Sequence, residues 1–396
     1  MTESVSLVGE LDPEGAYAAQ IAAAMALGRL DGAVRASGAP TLRVFAARLL
    51  RDMLASALRQ EGHAFTDIRF HAWFAGLVTL SDEPPRLARP PRALAEAMLT
   101  ELTHSSWEPL ATLATRLLPA LLAPTDYVVS DRANEQGHET AIAILASAQD
   151  LIDRSQTGSA ISPISALLQL HRAIRQDVTF APAERSIVPV ISSSWRRTSG
   201  HIALPSPRWA IELLWGEHWK AAGILHLALP WPGLVQLDAL HSDLDAHDAP
   251  RLLASTLHHR AQHLTGVLTE ADQTARFAIT RAPGGRATSR APALYELLAG
   301  FGPLRASQIE MLLGATRLGV RAILGALDAT GKLERSTIAG VRLYAAPQAS
   351  LATQEAVQPA SRPAFSAVAL ADYDASMAHI EQLLSRRGRP FEGVSD

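Results

Sequence analysis

The 396-residue chain carries 36 Lys and Arg against 39 Asp and Glu, a formal net charge of −3, and 48% of its residues are hydrophobic. That is enough apolar material for two or three cored domains, and it excludes both a disordered chain and a uniformly basic nucleic-acid binder. The chain has no cysteine, which removes disulfides, thiolate metal centres and cysteine nucleophiles together and fits a reducing compartment.

Aromatic residues make up only 5% of the chain while Ala and Leu recur throughout, a balance that favours helix packing, so a mainly α protein is expected. No apolar run reaches the ~20 residues of a membrane span, and the opening MTESVSLVGELDPEG lacks a signal-peptide core. A cytoplasmic address with no membrane partner follows. Residues 1–82 read as a helical hairpin region, with Ile21, Met25 and Leu30 on one stripe and Val44, Leu49, Leu50, Met53, Leu54 and Leu58 on the next. Ser37 to Thr41 supply a helix stop, a turn and a new cap between them. A third helix is predicted over Phe65 to Leu80, before the proline-rich DEPPRLARPPR forces an extended connection. A multi-helix body spans 93–270, with helices at Ala93–Leu102, Glu108–Leu122, Glu139–Arg154, Pro163–Arg175, Trp209–Leu229 and Ala249–Val267. The stretch from Val188 to Pro207 is its least helical part and suits a short hairpin. Residues 271–290 read as a basic linker, since Arg276, Arg281, Arg286 and Arg290 occur with no acid from Gln273 to Tyr295 and Pro283-Gly284-Gly285 marks a loop.

From 291 to 346 the order of signals is that of a winged helix-turn-helix. Ala293 to Ala299 form a first helix, Gly300 to Pro303 break it, and Ala306 to Leu313 form a second; Gly314-Ala315 makes the turn and Thr316 caps the third. That helix, Arg317 to Ala329, buries Val320, Ile323, Leu324 and Leu327 at 3.6-residue spacing and turns Arg317, Arg321 and Gly325 outward. A hairpin from Leu333 to Ala345, closed near Ala339-Gly340 and anchored by Tyr344, is the wing, with Arg335 and Arg342 placed for phosphates. Arg305, Arg317, Arg321, Lys332, Arg335 and Arg342 outnumber Glu296, Glu310, Asp328 and Glu334 by six to four, and Arg286 and Arg290 add to the basic patch. These cations, with Thr316, are the expected contacts to double-stranded DNA. The alternative is a winged helix that serves structure or binds protein. Beyond a linker at 347–366, a last helix over 367–388 sets Leu370, Tyr373, Met377, Ile380 and Leu384 in one seam, which predicts a homodimer. Packing of that seam on its own body is the alternative.

The run from Arg286 to Leu294 and the helix-turn-helix after it resemble the C-terminal part of a family of alphaproteobacterial proteins of uncertain function, in which a helical, Fic-like region precedes a DNA-binding domain. In the body, the LLQLHR of residues 167–172 is similar to a helix of Fic-type proteins, and Trp195-Arg196-Arg197-Thr198 with Ile202 resembles the segment before their catalytic helix. The resemblance implies a Fic-like body with a degenerate catalytic motif. Where the loop HPFxxGNGR would fall, the chain reads Leu229-Pro230-Trp231-Pro232-Gly233-Leu234. Leucine has no ionisable group to act as a base, and the Asn and Arg that would hold phosphates are missing, so nucleotidyl transfer is the least favoured alternative.

Three other groups invite a chemical reading. His241 to Asp248 gathers two histidines and three carboxylates, but its spacing fits no compact metal template and a polar loop is preferred. His259 and His263 are one turn apart without the glutamate of a zinc-protease helix. Trp195, Trp209, Trp215, Trp219 and Trp231 form either core or the lining of an effector pocket. No catalytic residue, metal or cofactor is expected. The sequence-level reading is a bacterial DNA-binding protein, a transcriptional regulator or a plasmid or mobile-element maintenance factor whose body could meet a small-molecule or protein effector. A chromosome-organisation or partition accessory protein is the alternative.

Overall fold

The computed structural model describes residues 13–81, 89–124, 131–155, 162–182, 206–240, 248–280 and 290–347. Among them are 12 α-helices and one three-stranded sheet, so the protein is mainly α. In place of the expected hairpin, α1 (Pro13–Ala36) and α2 (Ala39–Gln60) follow one another across an extended Gly38, with a proline in the first turn of α2, but each packs on the later helix of residues 248–280 rather than on the other. The central helix is α2, which buries Val44, Phe45, Leu49, Leu50, Met53, Leu54 and Leu58. On α1 the packed residues are Ala23, Ala26, Leu27, Leu30 and Val34, whereas Ile21 and Met25 are exposed. Leu30 follows Met25 by five residues, about 140° beyond a full turn, so the three do not share a face as the sequence reading had them.

Thr66 caps α3 (Asp67–Phe74) by accepting from the Arg69 amide. The helix ends six residues before the expected Leu80 because Gly76, at φ +74°, presses on the Leu122 carbonyl, where a Cβ would lie 2.4 Å from the oxygen. The body continues through α4 (Pro91–Leu102), α5 (Glu108–Ala120), α6 (Asp131–Ser155), α7 (Pro163–Gln176), α8 (Arg208–Ala221) and α9 (Asp248–Thr280). Three boundaries differ from expectation, the first at α6, which begins at Asp131, eight residues before the expected Glu139. The turn at Ala222-Gly223 ends α8, so residues 224–237 run as an irregular strap rather than a helix reaching Leu229. The 33-residue α9 continues well past Val267, so residues 271–280 are helix and not linker; no Gly or Pro interrupts them.

The strap is fastened by a buried carboxylate. Glu212 on α8 is fully buried and accepts from the Val235 amide at 3.0 Å and from Gln60 Nε2 at 2.8 Å, while its own carbonyl accepts from the Trp231 amide at 2.8 Å. Burial pushes its pKa up, against the donors that favour the charged form. Next to it, Glu61 pairs with Arg89 and accepts from Trp209 Nε1 at 2.8 Å. Gly216 lets the strap close on α8, since a Cβ there would sit 2.0 Å from the Leu229 oxygen. Trp209, Trp215, Trp219 and Trp231 are all buried, with Trp219 and Trp231 edge-to-face at 4.9 Å, so these four indoles are core; Trp195 lies outside the described residues.

The chain then forms α10 (Ala291–Gly300), β1 (Leu304–Arg305), α11 (Ala306–Leu313), α12 (Arg317–Ala329), β2 (Glu334–Ile338) and β3 (Val341–Ala345), with an antiparallel sheet in the order β1-β3-β2. This portion shares a core with the body. Phe301 packs on Phe74 at 4.9 Å and near Phe70 and His71, and a Cβ at Gly300 would meet that of Ala47 at 2.6 Å. The described residues, 13–347, form one compact unit. The expected C-terminal helix over 367–388 lies outside the described residues, as does the Val188–Pro205 stretch. No helix among the described residues is long and apolar enough to cross a membrane.

Candidate nucleic-acid interface

The three-residue connection from α11 to α12 is built from local signals. Gly314 takes the left-handed conformation, φ 54°, that ends α11, and the Arg290 guanidinium donates to the carbonyls of Leu313 at 2.5 Å and Gly314 at 3.4 Å. Thr316 then caps α12 by accepting from the Gly319 amide at 3.3 Å. On α12, Val320, Leu324 and Leu327 are buried and Ile323 half-buried. The outer face carries Arg317, Leu318, Arg321, Ala322, Gly325 and Ala326, all exposed. No hydrogen bond or ion pair joins Arg317 or Arg321 to any described residue. Both charges stand on the first two turns of the helix, whose positive dipole end adds to them.

The β2–β3 hairpin closes through Ala339 at φ 49° and Gly340 at φ 76°, the two left-handed residues of a type I′ turn. Four of the five β2 residues are exposed, so the hairpin projects from the unit. Arg342 stands opposite Thr337 and is exposed. Arg335, opposite Tyr344, is exposed but salt-bridged to Asp328 at 2.6 Å, which lowers the charge it offers. Tyr344 is half-buried against the core, as an anchor would be.

Two of the expected contacts are elsewhere. Lys332 is buried, with its ammonium donating to the carbonyls of Phe277 at 3.0 Å and Ala278 at 2.8 Å and lying over the Phe277 and Tyr295 rings. It caps the end of α9, because the turn at Gly331, φ +67°, brings it back onto that helix. Arg305 is half-buried; its guanidinium donates to Ser307 Oγ at 2.6 Å and to the Ala75 carbonyl at 3.1 Å, tying β1 to the end of α3. Arg286 lies outside the described residues. Glu296, counted as an acid of this surface, is buried and paired with Arg43 at 2.7 Å, so it takes no charge from the outer face. Sequence reasoning also passed over Gln308, fully buried, whose amide donates to the carbonyls of Phe74 at 3.1 Å and Ala120 at 2.8 Å.

The other candidates carry less. Gln236, Thr256, His259, Arg260 and His263 line an open groove of about 370 Å³. His259 donates from Nδ1 to the Ser255 carbonyl at 2.8 Å, and among the described residues no three His, Asp or Glu side chains converge as a metal set would. Residues 241–247 lie outside the described residues. Leu229, at the position compared with a Fic base, is buried with its carbonyl against Gly216. His171 is buried and donates to the Leu167 carbonyl at 2.9 Å, and desolvation lowers its pKa to about 4.

No protein-family model matches the chain, and no curated protein matches it. The function therefore rests on the geometry above.

Proposed function

We propose that residues 290–346 are a winged helix-turn-helix and that the chain binds double-stranded DNA, with α12 in the major groove and the β2–β3 hairpin on the flanking backbone. The observation that carries this reading is the outer side of α12: Arg317 and Arg321 are exposed and unpaired among the described residues, one turn apart on the flank of a helix that buries Val320, Leu324 and Leu327. Ala322, Gly325 and Ala326 around them keep the face thin, and a major groove about 12 Å wide admits a helix of that kind. Arginine can hold phosphates and can also donate in bidentate fashion to guanine, so two arginines on one face supply both affinity and sequence preference. Arg342 adds a phosphate contact from the hairpin, and Arg335 adds a second when its pair with Asp328 opens. Arg290 and Thr316 shape the turn. A regulator of transcription or a plasmid-maintenance factor is the duty that suits such a reader, and a Fic-like body lacking the catalytic base would serve as scaffold or effector-sensing part.

A second reading, a winged helix that binds protein, draws on Leu318, which is 75% exposed on the same face. The two are separated with full-length protein and a mixed-sequence duplex followed by fluorescence anisotropy across a salt series. DNA binding predicts a log–log salt slope that falls by about two units, and affinity that drops about 10- to 100-fold, when Arg317→Ala and Arg321→Ala are combined. Leu318→Arg should leave DNA affinity unchanged or raised, whereas a protein-binding face would be damaged by it. Unchanged DNA affinity of the double-alanine variant at physiological salt would sink the assignment of α12.

A further inference from the structure

α1 is apolar on two opposite faces. One face packs along α9 through Ala23, Leu27, Leu30 and Val34. Opposite it, Tyr17 is 67%, Ile21 44% and Met25 52% exposed, and they recur every four residues on a single row. Between Tyr17 and Gly28 the exposed positions are Tyr17, Ala18, Ile21, Ala24, Met25 and Gly28, with no charge among them. Solvated helix faces are normally charged or polar, and a helix that is apolar all round is one that is covered all round. Toward the C-terminal end the same face continues as Gly28 and Gly32. A Cβ at either would meet nothing within 4 Å, so nothing in the described fold uses the space, although glycine is the least favourable residue after proline in a helix interior.

We propose that this face pairs with the same face of a second copy of the chain, antiparallel, about a two-fold axis passing between Ala24 and Met25. Turned end for end about that point, Tyr17 falls opposite Gly32 of the second copy and Ile21 opposite its Gly28. Each bulky side chain on the N-terminal half meets a glycine on the C-terminal half, and the two-fold repeats the match, as an isologous interface must. Charge selects the same direction. The exposed Arg29 lies toward the C-terminal end; a parallel pair would set Arg29 beside its own copy, while the antiparallel pair separates the two, and Arg35 is already ion-paired with Asp31 at 2.8 Å. It also opposes the two helix dipoles. The strip from Tyr17 to Ala36 is about 30 Å long and about 10 Å wide. That contact is small beside the ~800 Å² per partner of a standard interface, so the dimer is a weak one. The inference does not rest on DNA binding.

The absence of cysteine in the chain makes single-cysteine probes clean. In full-length protein at micromolar concentration, Met25→Cys should be joined to itself by a short bis-maleimide. Tyr17→Cys and Gly32→Cys should each fail alone and cross-link when mixed. Gly28→Met fills the space the second copy needs but is open within one copy, so it should keep the circular dichroism of the parent and hold or raise its thermal midpoint while weakening the dimer by about tenfold or more, read by sedimentation across a concentration series. Self-linking of Tyr17→Cys as fast as Met25→Cys would mean a parallel or unspecific contact. A dimeric chain in which Met25→Cys does not link would place the interface elsewhere, residues 348–396 included. Either outcome, or a chain that stays monomeric at high micromolar concentration, overturns the proposal.

Discussion

At the scale of single residues, two buried histidines contribute to how the protein responds to acid. His71 is buried against Phe70, Phe301 and Gly302, and desolvation, with the nearby Arg51, lowers its pKa to about 3; His171 is lowered to about 4, again chiefly by desolvation. Both are neutral in the fold, while the unfolded chain takes up protons below the ordinary value of about 6.5. The unfolded state therefore binds more protons between pH 6.5 and 4, and stability is full above that window and lost as pH falls through it. The loss by pH 4 is on the order of 5 kcal/mol for the two together. A His71→Gln, His171→Gln variant should show a clearly flatter dependence of urea midpoint on pH between 6.5 and 4, though it starts from a lower value. A second residue-scale expectation separates a structural cation from a DNA-binding one. Lys332→Met keeps the bulk but leaves the carbonyls of Phe277 and Ala278 without their donor, and should cost about 1–3 kcal/mol in urea unfolding. Its effect on the salt slope of DNA binding should be nil, in contrast to Arg317→Ala.

At the scale of elements, the hairpin holds a local cost that can be relieved. Ala339 is the one non-glycine residue at positive φ among the described residues, and a left-handed residue bearing a Cβ costs about 1–2 kcal/mol. Ala339→Gly, or Ala339→Asn, should raise stability by about 0.5–1 kcal/mol, measured as a higher denaturant midpoint at an unchanged slope. A lower midpoint would mean that this turn is not type I′. On α12 the helical period was legible because 13 residues repeat it, and the outward set Arg317, Arg321 and Gly325 follows from the inward set. The extent of α9 was less legible, since the acid-free arginine run from Arg276 on, with Pro283-Gly284-Gly285, made 271–290 read as a linker, while the packing that keeps 271–280 helical comes from α2, α10 and Lys332.

At the scale of the whole molecule, residues 290–347, proposed to bind DNA, are built into the body rather than tethered to it. Phe301 sits among Phe70, Phe74 and His71, Gln308 bridges the carbonyls of Phe74 and Ala120, and Arg43 pairs with Glu296. A fragment of residues 290–347 exposes Phe301, Leu294 and Leu298 and leaves Gln308 without its carbonyls. It should lack the dispersed amide spectrum of a folded domain, whereas residues 1–347 should unfold as one cooperative unit. A fragment that folds and melts by itself would contradict this. Since Leu229 is buried in the strap and cannot accept a proton, incubation with labelled ATP and candidate acceptor proteins should give background transfer.

The sequence by itself determined the helical class, the break between α1 and α2, the turn between α11 and α12, and the hairpin after them, because each depends on signals a few residues apart: periodicity, caps and left-handed turn residues. Only the tertiary structure decided which charges face solvent. Lys332 finds its carbonyls 54 and 55 residues away, Arg305 its carbonyl 230 away and Glu296 its arginine 253 away, and no local pattern encodes such meetings. It also decided that Ile21 and Met25 lie on the open side of α1, since a helix with apolar residues on both faces does not say which one its own chain will cover.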